Sequence, residues 1–245
     1  MLLLYHKLMR IGGFLPTTLL DYPGHLACTV FTMGCDLRCP FCHNGELVLP
    51  EHFPAPLDEE EVLAHIRKRS KLLEGVCVSG GEPTLQPDLK DFIKKLKDLG
   101  LLVKLDTNGR DTELVKELLE EGLVDMVAMD LKADRASYPL VCGLPGMDPA
   151  PYFRTAEFLL SSSYEYEFRT TLVKGLHSAE CISNMSSFLS KAEHWYLQSY
   201  APGDNVTAFL TDSAAKPESF DREELHALLR IAQEKMPRAR LRGIE

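Results

Sequence analysis

The chain of 245 residues has no apolar run long enough to cross a membrane. A spanning helix needs about 18 consecutive apolar residues, and the longest apolar stretches here are the length of a β-strand. A convincing leader peptide is also missing, because the apolar patch of MLLLYHKLMR precedes Lys7 and Arg10 and no small-residue cleavage site follows it. We therefore expect a cytoplasmic protein without a membrane partner.

Basic residues are too few for a nucleic-acid-binding protein. Lysine and arginine total 27 against 36 acidic residues, which gives a net charge of −9. A chain of this charge is repelled by a phosphate backbone. Internal repeats and low-complexity segments do not stand out either. We expect a globular enzyme that does not act on nucleic acid.

The seven cysteines do not form the paired framework of a secreted disulfide protein. Three of them, Cys35, Cys39 and Cys42, lie within eight positions, no fourth follows nearby, and the other four are scattered. An odd number with one tight group is typical of an intracellular protein that holds a metal.

Strand-like and helix-like segments alternate along the chain at the spacing of successive parallel βα units. The predicted strands cover 26–32, 75–80, 101–109, 125–132, 166–173 and 194–200. Six such units predict an α/β fold, a partial (β/α)6 TIM-type barrel that is open on one side. A doubly wound sheet is the alternative. We expect one domain over 1–245, with a core of about 20–200 and a C-terminal loop, helix and tail in 201–245. Residues 139–151 and 201–217 read as surface connections.

Polar or glycine-rich motifs follow strand after strand. They are MGCDLRC, SGGEP, DTNG, DLK and SYAPGDN. Ligands of parallel α/β folds bind at the carboxyl ends of the strands. The motifs are therefore expected to form one site.

Three thiolates suit zinc, copper(I) or an iron–sulfur cluster. Structural zinc needs four protein ligands, so it would have to recruit Cys28 or His43. A [4Fe–4S] cluster on three cysteines instead keeps one iron open for another ligand.

The spacing CxxxCxxC, with Phe41 before the last cysteine, resembles the cluster loop of the radical S-adenosylmethionine (SAM) enzymes. SGGEP resembles their GGE motif. The resemblance implies that Cys35, Cys39 and Cys42 hold a [4Fe–4S] cluster. It also implies that the main chain of Phe41 and the residues Gly80, Gly81 and Glu82 border SAM.

A narrower resemblance is to the activating enzymes of glycyl radical enzymes. TTLLDYPGHLACTVFTMGCDLRCPFCHNGEL is similar to the activators of anaerobic ribonucleoside-triphosphate reductase, and more loosely to the pyruvate formate-lyase activating enzyme. LDTNG and MDLK resemble further motifs there. The implied SAM-binding residues are Asp106, Thr107, Asn108, Asp130 and Lys132, with a monovalent or divalent cation near Asp106 and Asp130. The resemblance places Asp21 and Arg169 toward the substrate.

The activator resemblance also implies a reaction and partners. Reduction of SAM yields a 5′-deoxyadenosyl radical, which removes a hydrogen atom from a glycine Cα of the partner reductase. A flavodoxin or ferredoxin would supply the electron. Where the pyruvate formate-lyase activator has a histidine after its sixth strand, this chain offers Gln198 or Tyr200.

Other interpretations remain at this point. One alternative is a radical SAM enzyme that acts on a different peptide or on a small molecule. Another is a non-enzymatic zinc-binding module. Asp106 and Asp130 also fit a general acid–base pair, although that leaves the cysteines unexplained. Lys132 alone fits a surface ion pair equally well.

Overall fold

The computed structural model describes residues 9–211 and 216–243. The segment on which the leader-peptide interpretation depends, residues 1–8, lies outside them. The chain forms two compact units. The first comprises the chain up to Asp36 together with Glu46–Thr107 and Glu113–Val127. The second comprises Leu37–Gly45, Asn108–Thr112 and the chain from Ala128 onward. The single domain stays a prediction.

The first unit contains the strands and helices from the N-terminal part of the chain. Its strands are β1 (Ile11–Thr18), β2 (Ala27–Thr32), β3 (Gly75–Gly80) and β4 (Leu102–Thr107). Its helices are α1 (Gly45–Val48), α2 (Glu59–Arg69), α3 (Leu89–Lys97) and α4 (Thr112–Glu120), with short 3-10 turns at Pro50–His52 and Pro83–Leu85. Strand β1 pairs with β2 in antiparallel orientation, and β2, β3 and β4 are parallel. The predicted strands at 26–32, 75–80 and 101–109 are confirmed, whereas β1 was not predicted.

Helix α2 shows how local sequence places a helix. The Asp58 side chain accepts a hydrogen bond from the Glu61 backbone N–H at 3.0 Å and so caps the first turn. Acidic residues occupy that turn and basic residues occupy the last turn, which complements the helix dipole. Val62, Leu63 and Ile66 form its buried side.

The register of β2, β3 and β4 gives the sheet two different faces. Side chains alternate along each strand, and the parallel pairing aligns Thr29 with Cys77 and Cys77 with Lys104. The apolar face consists of Cys28, Val30, Val76, Val78, Val103 and Leu105, all completely buried. The opposite face carries Phe31 and the residues Thr29, Cys77, Ser79, Lys104 and Asp106, and it is called the polar face.

Strand β5 (Met126–Asp130) passes from the first unit into the second. The second unit continues with α5 (Tyr138–Val141), α6 (Ala150–Ser161), β6 (Glu165–Leu172), α7 (Ala179–Phe188), β7 (Trp195–Ser199), α8 (Thr207–Leu210), α9 (Arg222–Gln233) and β8 (Arg240–Arg242). Strand order is β1-β2-β3-β4-β5 in the first unit and β5-β6-β7-β8 in the second.

The predicted α/β class with an open parallel sheet is confirmed, since the strand order ends at β1 and at β8 without a pairing that closes it in the described residues. No helix in residues 9–211 and 216–243 is long and apolar enough to cross a membrane.

Two segments predicted as surface connections contain helices. Helix α5 (Tyr138–Val141) ends in 139–151, where Val141 and Cys142 are buried, and α8 lies in 201–217, where Val206, Thr207 and Ala208 are buried. The surface interpretation is therefore wrong for these buried residues, whereas the other described residues of both segments are half-buried or exposed. Residues 212–215 of the second segment are outside the described residues.

The basic C-terminal tail contains a short strand, β8. Strand β8 pairs with β7, and the Arg242 guanidinium makes two hydrogen bonds to the Glu167 carboxylate, at 3.1 and 2.9 Å. The Glu167 side chain is only 3% exposed. The arginine therefore neutralises a buried charge.

We predict that Arg242→Ala lowers the free energy of unfolding by about 2 kcal/mol, because it leaves the buried Glu167 carboxylate unpaired. The loss is below that of a fully buried pair because Arg242 is itself one-third exposed. Urea denaturation measures it. The matched control is Arg238→Ala, which removes an exposed pair with Glu193 and should change stability little. Equal losses in both variants would contradict the prediction.

Candidate active site

The three cysteines of the motif belong to both units. Cys35 lies in the first, and Cys39 and Cys42 lie in the second. In the second unit the loop is held by the first residues of α8. The backbone N–H groups of Thr207 and Ala208 donate to the carbonyls of Cys42 and Pro40, both at 3.0 Å. Sequence reasoning missed this support, because it joins residues about 165 positions apart.

Neighbouring groups and burial raise the pKa of the two motif thiols that lie in the second unit. Hydrogen bonding with the Cys142 thiol and burial raise the pKa of Cys39 well above its usual range. Burial and the neighbouring Cys39 raise the pKa of Cys42 to about 11, while the Lys132 charge acts in the opposite direction. Metal binding requires thiolates, so binding must release these protons, and Lys132 favours that release.

The donor set fits an iron–sulfur cluster. Three thiols on one loop are the ligands such clusters use. Within the described ranges no group of three or more His, Cys, Asp or Glu side chains is already arranged to hold a metal ion. The Cys39 thiol is hydrogen-bonded to Cys142. Binding therefore requires Cys39 to lose its own proton, after which its sulfur can only accept a hydrogen bond from the Cys142 thiol. The Cys28 thiol lies on the apolar face, where burial raises its pKa to about 12, so it is a poor candidate ligand for the zinc alternative.

The GGE motif needs both glycines because two backbone segments almost touch. Gly80 has φ of +114°, and a Cβ there would lie 2.3 Å from the Thr32 nitrogen. A Cβ on Gly81 would lie 2.1 Å from the Gly34 carbonyl oxygen. The N–H groups of Gly81 and Glu82 donate to Thr32 and Gly34 at 2.9 and 2.8 Å. The motif thus fixes the backbone immediately before Cys35.

We predict that Gly81→Ala destabilises the protein by about 2–3 kcal/mol, because backbone atoms cannot move aside as a side chain can. The measurement is the midpoint of urea unfolding. Gly203→Ala is the control, since a Cβ there meets nothing within 4 Å. An unchanged midpoint for Gly81→Ala would show that the close approach is not maintained.

Glu82 is the most buried carboxylate of the predicted site, with no exposed surface. Its Oε1 accepts hydrogen bonds from the Thr84 hydroxyl at 2.5 Å and from the Thr107 hydroxyl at 2.7 Å. The side chain therefore joins the turn after β3 to the end of β4. Gln86, which sequence reasoning missed, similarly bridges the Arg10 N–H and the Met33 carbonyl, at 3.2 and 2.7 Å.

Asp106 lies on the polar face at the end of β4. Its Oδ2 accepts a hydrogen bond from the Ser79 hydroxyl at 3.1 Å, and its Oδ1 pairs with the Lys104 ammonium. Asn108, in the second unit, caps the DTNG turn, because its side-chain oxygen accepts the Arg110 N–H at 2.9 Å.

Three predicted residues of the second unit form one ion network. The Asp130 carboxylate contacts Lys132 Nζ at 2.9 Å and Arg169 Nε at 2.8 Å. Desolvation opposes its charged form, but Arg169 and Lys132 outweigh that effect and hold the pKa of Asp130 well below its usual range. A carboxylate of this kind is a poor general acid. The acid–base interpretation is therefore not favoured.

His177, which appears unremarkable in the sequence, organises the same region. It is 3% exposed. Its Nδ1 accepts the Val173 N–H at 3.0 Å, and its Nε2 lies 2.8 Å from the Lys132 carbonyl. Its ring also meets the edge of the predicted SAM neighbour Phe41, with ring centroids 6.3 Å apart. His177 thus positions Lys132 and Phe41 together.

We predict that the protein loses stability as the pH falls from about 7 to about 5.5. Burial lowers the pKa of His177, so the unfolded chain binds the proton first, below the ordinary value of about 6.5. Urea denaturation at several pH values measures the slope. Asp130 and Asp134 also have lowered pKa values and lose their contributions only at lower pH. His177→Gln should flatten the slope, and an unchanged slope would contradict this assignment.

The DYPG segment lies at the beginning of the parallel strands of the first unit. Tyr22, which replaces a glycine of the resembled motif, is buried against Ala27, Leu102 and Met126. The Asp21 carboxylate accepts the Thr29 hydroxyl at 2.5 Å. Tyr22 is therefore a core residue, and the substrate role of Asp21 stays a prediction.

The two residues considered in place of a histidine have different surroundings. The Tyr200 side chain is 1% exposed, and its ring packs 5.5 Å from that of His43. Gln198 lies in β7 and is half-buried. His43 Nε2 lies 2.6 Å from the Ala201 carbonyl, which makes His43 a structural contact and a poor candidate for a zinc ligand.

Comparison with known families identifies the class of protein. The model of the radical SAM superfamily matches residues 29–182, which is more than half of the chain. The chain therefore belongs to the radical SAM superfamily. Its cofactors are a [4Fe–4S] cluster and SAM, as in other radical SAM enzymes.

Several relatives are similar over much of the chain. A Methanocaldococcus jannaschii protein named "Putative glycyl-radical enzyme activating enzyme" is 29% identical over 198 residues, 79% of this chain and 81% of that protein. The pyruvate formate-lyase 1-activating enzyme of Escherichia coli K12 is 29% identical over 174 residues, 68% of each chain. A "Probable GTP 3',8-cyclase" of Pyrococcus horikoshii is 33% identical over 119 residues, 48% of this chain and 37% of that protein.

A solved structure shares the fold. Streptococcus suis SuiB bound to S-adenosylmethionine superposes with a TM-score of 0.66 over 87% of this chain, at 18% identity. This chain spans about half of SuiB, 49% of its length.

Proposed function

We propose that this radical SAM enzyme activates a glycyl radical enzyme, and that its protein substrate is an anaerobic ribonucleoside-triphosphate reductase. The observation that carries the proposal is the similarity to the M. jannaschii activating-enzyme relative, which extends over 79% of this chain and 81% of the relative. The segment TTLLDYPG before the cysteines supports the reductase activator as the subclass.

When bound, the reduced cluster and SAM would supply a 5′-deoxyadenosyl radical that removes a hydrogen atom from the substrate glycine. The chain contributes ligands, position and charge. Cys35, Cys39 and Cys42 would be the ligands. Lys132 places positive charge near Cys39 and Cys42, which favours their thiolate forms.

The residues around SAM would act by keeping the SAM-binding groups in fixed positions relative to one another. The buried Glu82 side chain fixes Thr107 relative to the GGE turn. The N–H groups of Gly81 and Glu82 already donate hydrogen bonds to Thr32 and Gly34. This turn would therefore bind SAM through carbonyl oxygens, which accept hydrogen bonds from the SAM amino group. His177 would hold Phe41 and the Lys132 backbone in place. No side chain is needed as a base or nucleophile.

The remaining predicted roles concern partners. Arg169 would lie toward the substrate peptide while it pairs with Asp130, and Asp21 would contact the glycine loop. A low-potential donor such as flavodoxin or ferredoxin would reduce the cluster.

Electron paramagnetic resonance tests the proposal. We expect the anaerobically reconstituted, reduced protein, mixed with SAM and the reductase, to give a glycyl radical doublet on the reductase. Cys39→Ala should lose bound iron, the doublet and SAM cleavage together, because one of three cluster ligands is missing. Cys181→Ala is the matched control. Cys181 is equally buried, at 2% exposure, but lies in α7 outside the motif, so iron and activity should remain.

Other outcomes would change the assignment in distinct ways. A doublet on pyruvate formate-lyase but not on the reductase would identify pyruvate formate-lyase as the protein substrate instead. The GTP cyclase relative provides a competing small-molecule function. SAM cleavage that depends on GTP, with no doublet on any glycyl radical enzyme, would replace the activator proposal by that function.

A further inference from the structure

Lys104 is a buried lysine that the reaction described above does not use. It lies in the middle of β4 and is 1% exposed. Lysine is almost never buried at this level without a partner of opposite charge. Its position therefore requires a specific partner, and the first unit provides one.

The partner of Lys104 is the Asp106 carboxylate, two residues further along the same strand. Because side chains alternate, both residues lie on the polar face. The ammonium group contacts Asp106 Oδ1, and the Asp106 side chain is 13% exposed. The Lys104 ammonium group therefore lies toward the end of the strand, beside the first residue of DTNG.

Both carboxylate oxygens of Asp106 have partners from the same unit. Oδ1 contacts the Lys104 ammonium, and Oδ2 accepts the Ser79 hydroxyl. The resemblance to activating enzymes implies a bound cation beside this carboxylate. An ammonium group already neutralises it, and a second cation on the same oxygens would be repelled by that ammonium.

We propose that Lys104 is the built-in cation of the Asp106 carboxylate, so that SAM binding at this carboxylate requires no added metal or alkali ion. Lys104 is a positioning residue, because it acts through Asp106. This inference rests on the proposed role of Asp106 in orienting SAM.

The second unit contains a comparable arrangement. Asp130 pairs with Lys132, again two residues away, and with Arg169. Each of the two aspartates to which the resemblance assigns a cation therefore has a cationic side chain of its own. This repetition favours neutralisation by the chain itself in both places.

The test is SAM affinity as a function of alkali ions, measured by calorimetry on the anaerobically reconstituted, oxidised holoprotein. No turnover or partner protein is needed. In a buffer whose only cation is bulky and organic, wild-type affinity should equal that with Na⁺ or K⁺ added at constant ionic strength. Lys104→Met should bind SAM about tenfold more weakly without alkali ions, and Na⁺ or K⁺ should restore the affinity.

Two further variants separate charge from packing. Lys104→Arg keeps the positive charge and should bind SAM without alkali ions. Lys97→Met removes a lysine of the same unit that pairs with Asp125, and it should leave both affinity and ion independence unchanged. A merely structural role for Lys104 would not produce a response to added ions.

Lys104→Met leaves a carboxylate without its counter-charge, which lowers the stability of the fold. The charge-neutral double variant Lys104→Met/Asp106→Asn avoids this problem. It should fold, bind SAM weakly and show no recovery with Na⁺ or K⁺.

Three results would overturn the proposal. They are a wild-type affinity that rises with alkali ions, wild-type affinity in Lys104→Met without ions, and wild-type affinity in the double variant. Failure of the proposed function is distinguishable from these. A missing glycyl radical would leave the affinity results intact, whereas a wild-type holoprotein that binds no SAM would remove the SAM site itself.

Discussion

The parallel register of β2, β3 and β4 is the constraint on which the first unit depends. It aligns Thr29, Cys77 and Lys104 across three strands, and the pleat then separates a polar face from an apolar one. The apolar face is completely buried. A slip of one residue would turn Asp106 and Lys104 onto that apolar face and move valines to the polar one. The same register brings the chain after β3 so close to Gly34 that a Cβ does not fit at Gly81.

Charge pairing is the second organising feature. Glu167, Asp106 and Asp130 are each neutralised by a lysine or arginine of their own unit. Burial makes an unpaired charge costly, so these pairs stabilise the fold. In the second unit Lys132 and Arg169 outnumber Asp130, and the remaining positive charge favours the thiolate forms of Cys39 and Cys42, the predicted cluster ligands.

Much of the fold and site is predictable from local patterns, and the exceptions have physical causes. Hydrophobic periodicity predicts the six βα units. Strand β1 is not predicted because it contains Gly12, Gly13 and Pro16, which are poor strand formers. It forms through pairing with β2. The short strand β8 likewise depends on β7. The motifs are visible because their residues are adjacent in sequence. The role of His177 cannot be recognised in the sequence, because it consists of contacts with Lys132 and Phe41, each far away along the chain.

The sequence by itself determined the α/β class and the radical SAM chemistry, and it predicts the three cluster cysteines, because thiol spacing, glycine pairs and strand periodicity are local properties. Only the tertiary structure decided what each charged residue pairs with. Lys104 is two residues from Asp106 in any conformation, but it becomes a buried counter-charge only when neighbouring strands remove water from around it. Likewise, Tyr22 becomes a core residue only when the strands of the first unit lie beneath it. Burial and long-range contact arise from the folded chain as a whole, and therefore no local pattern encodes them.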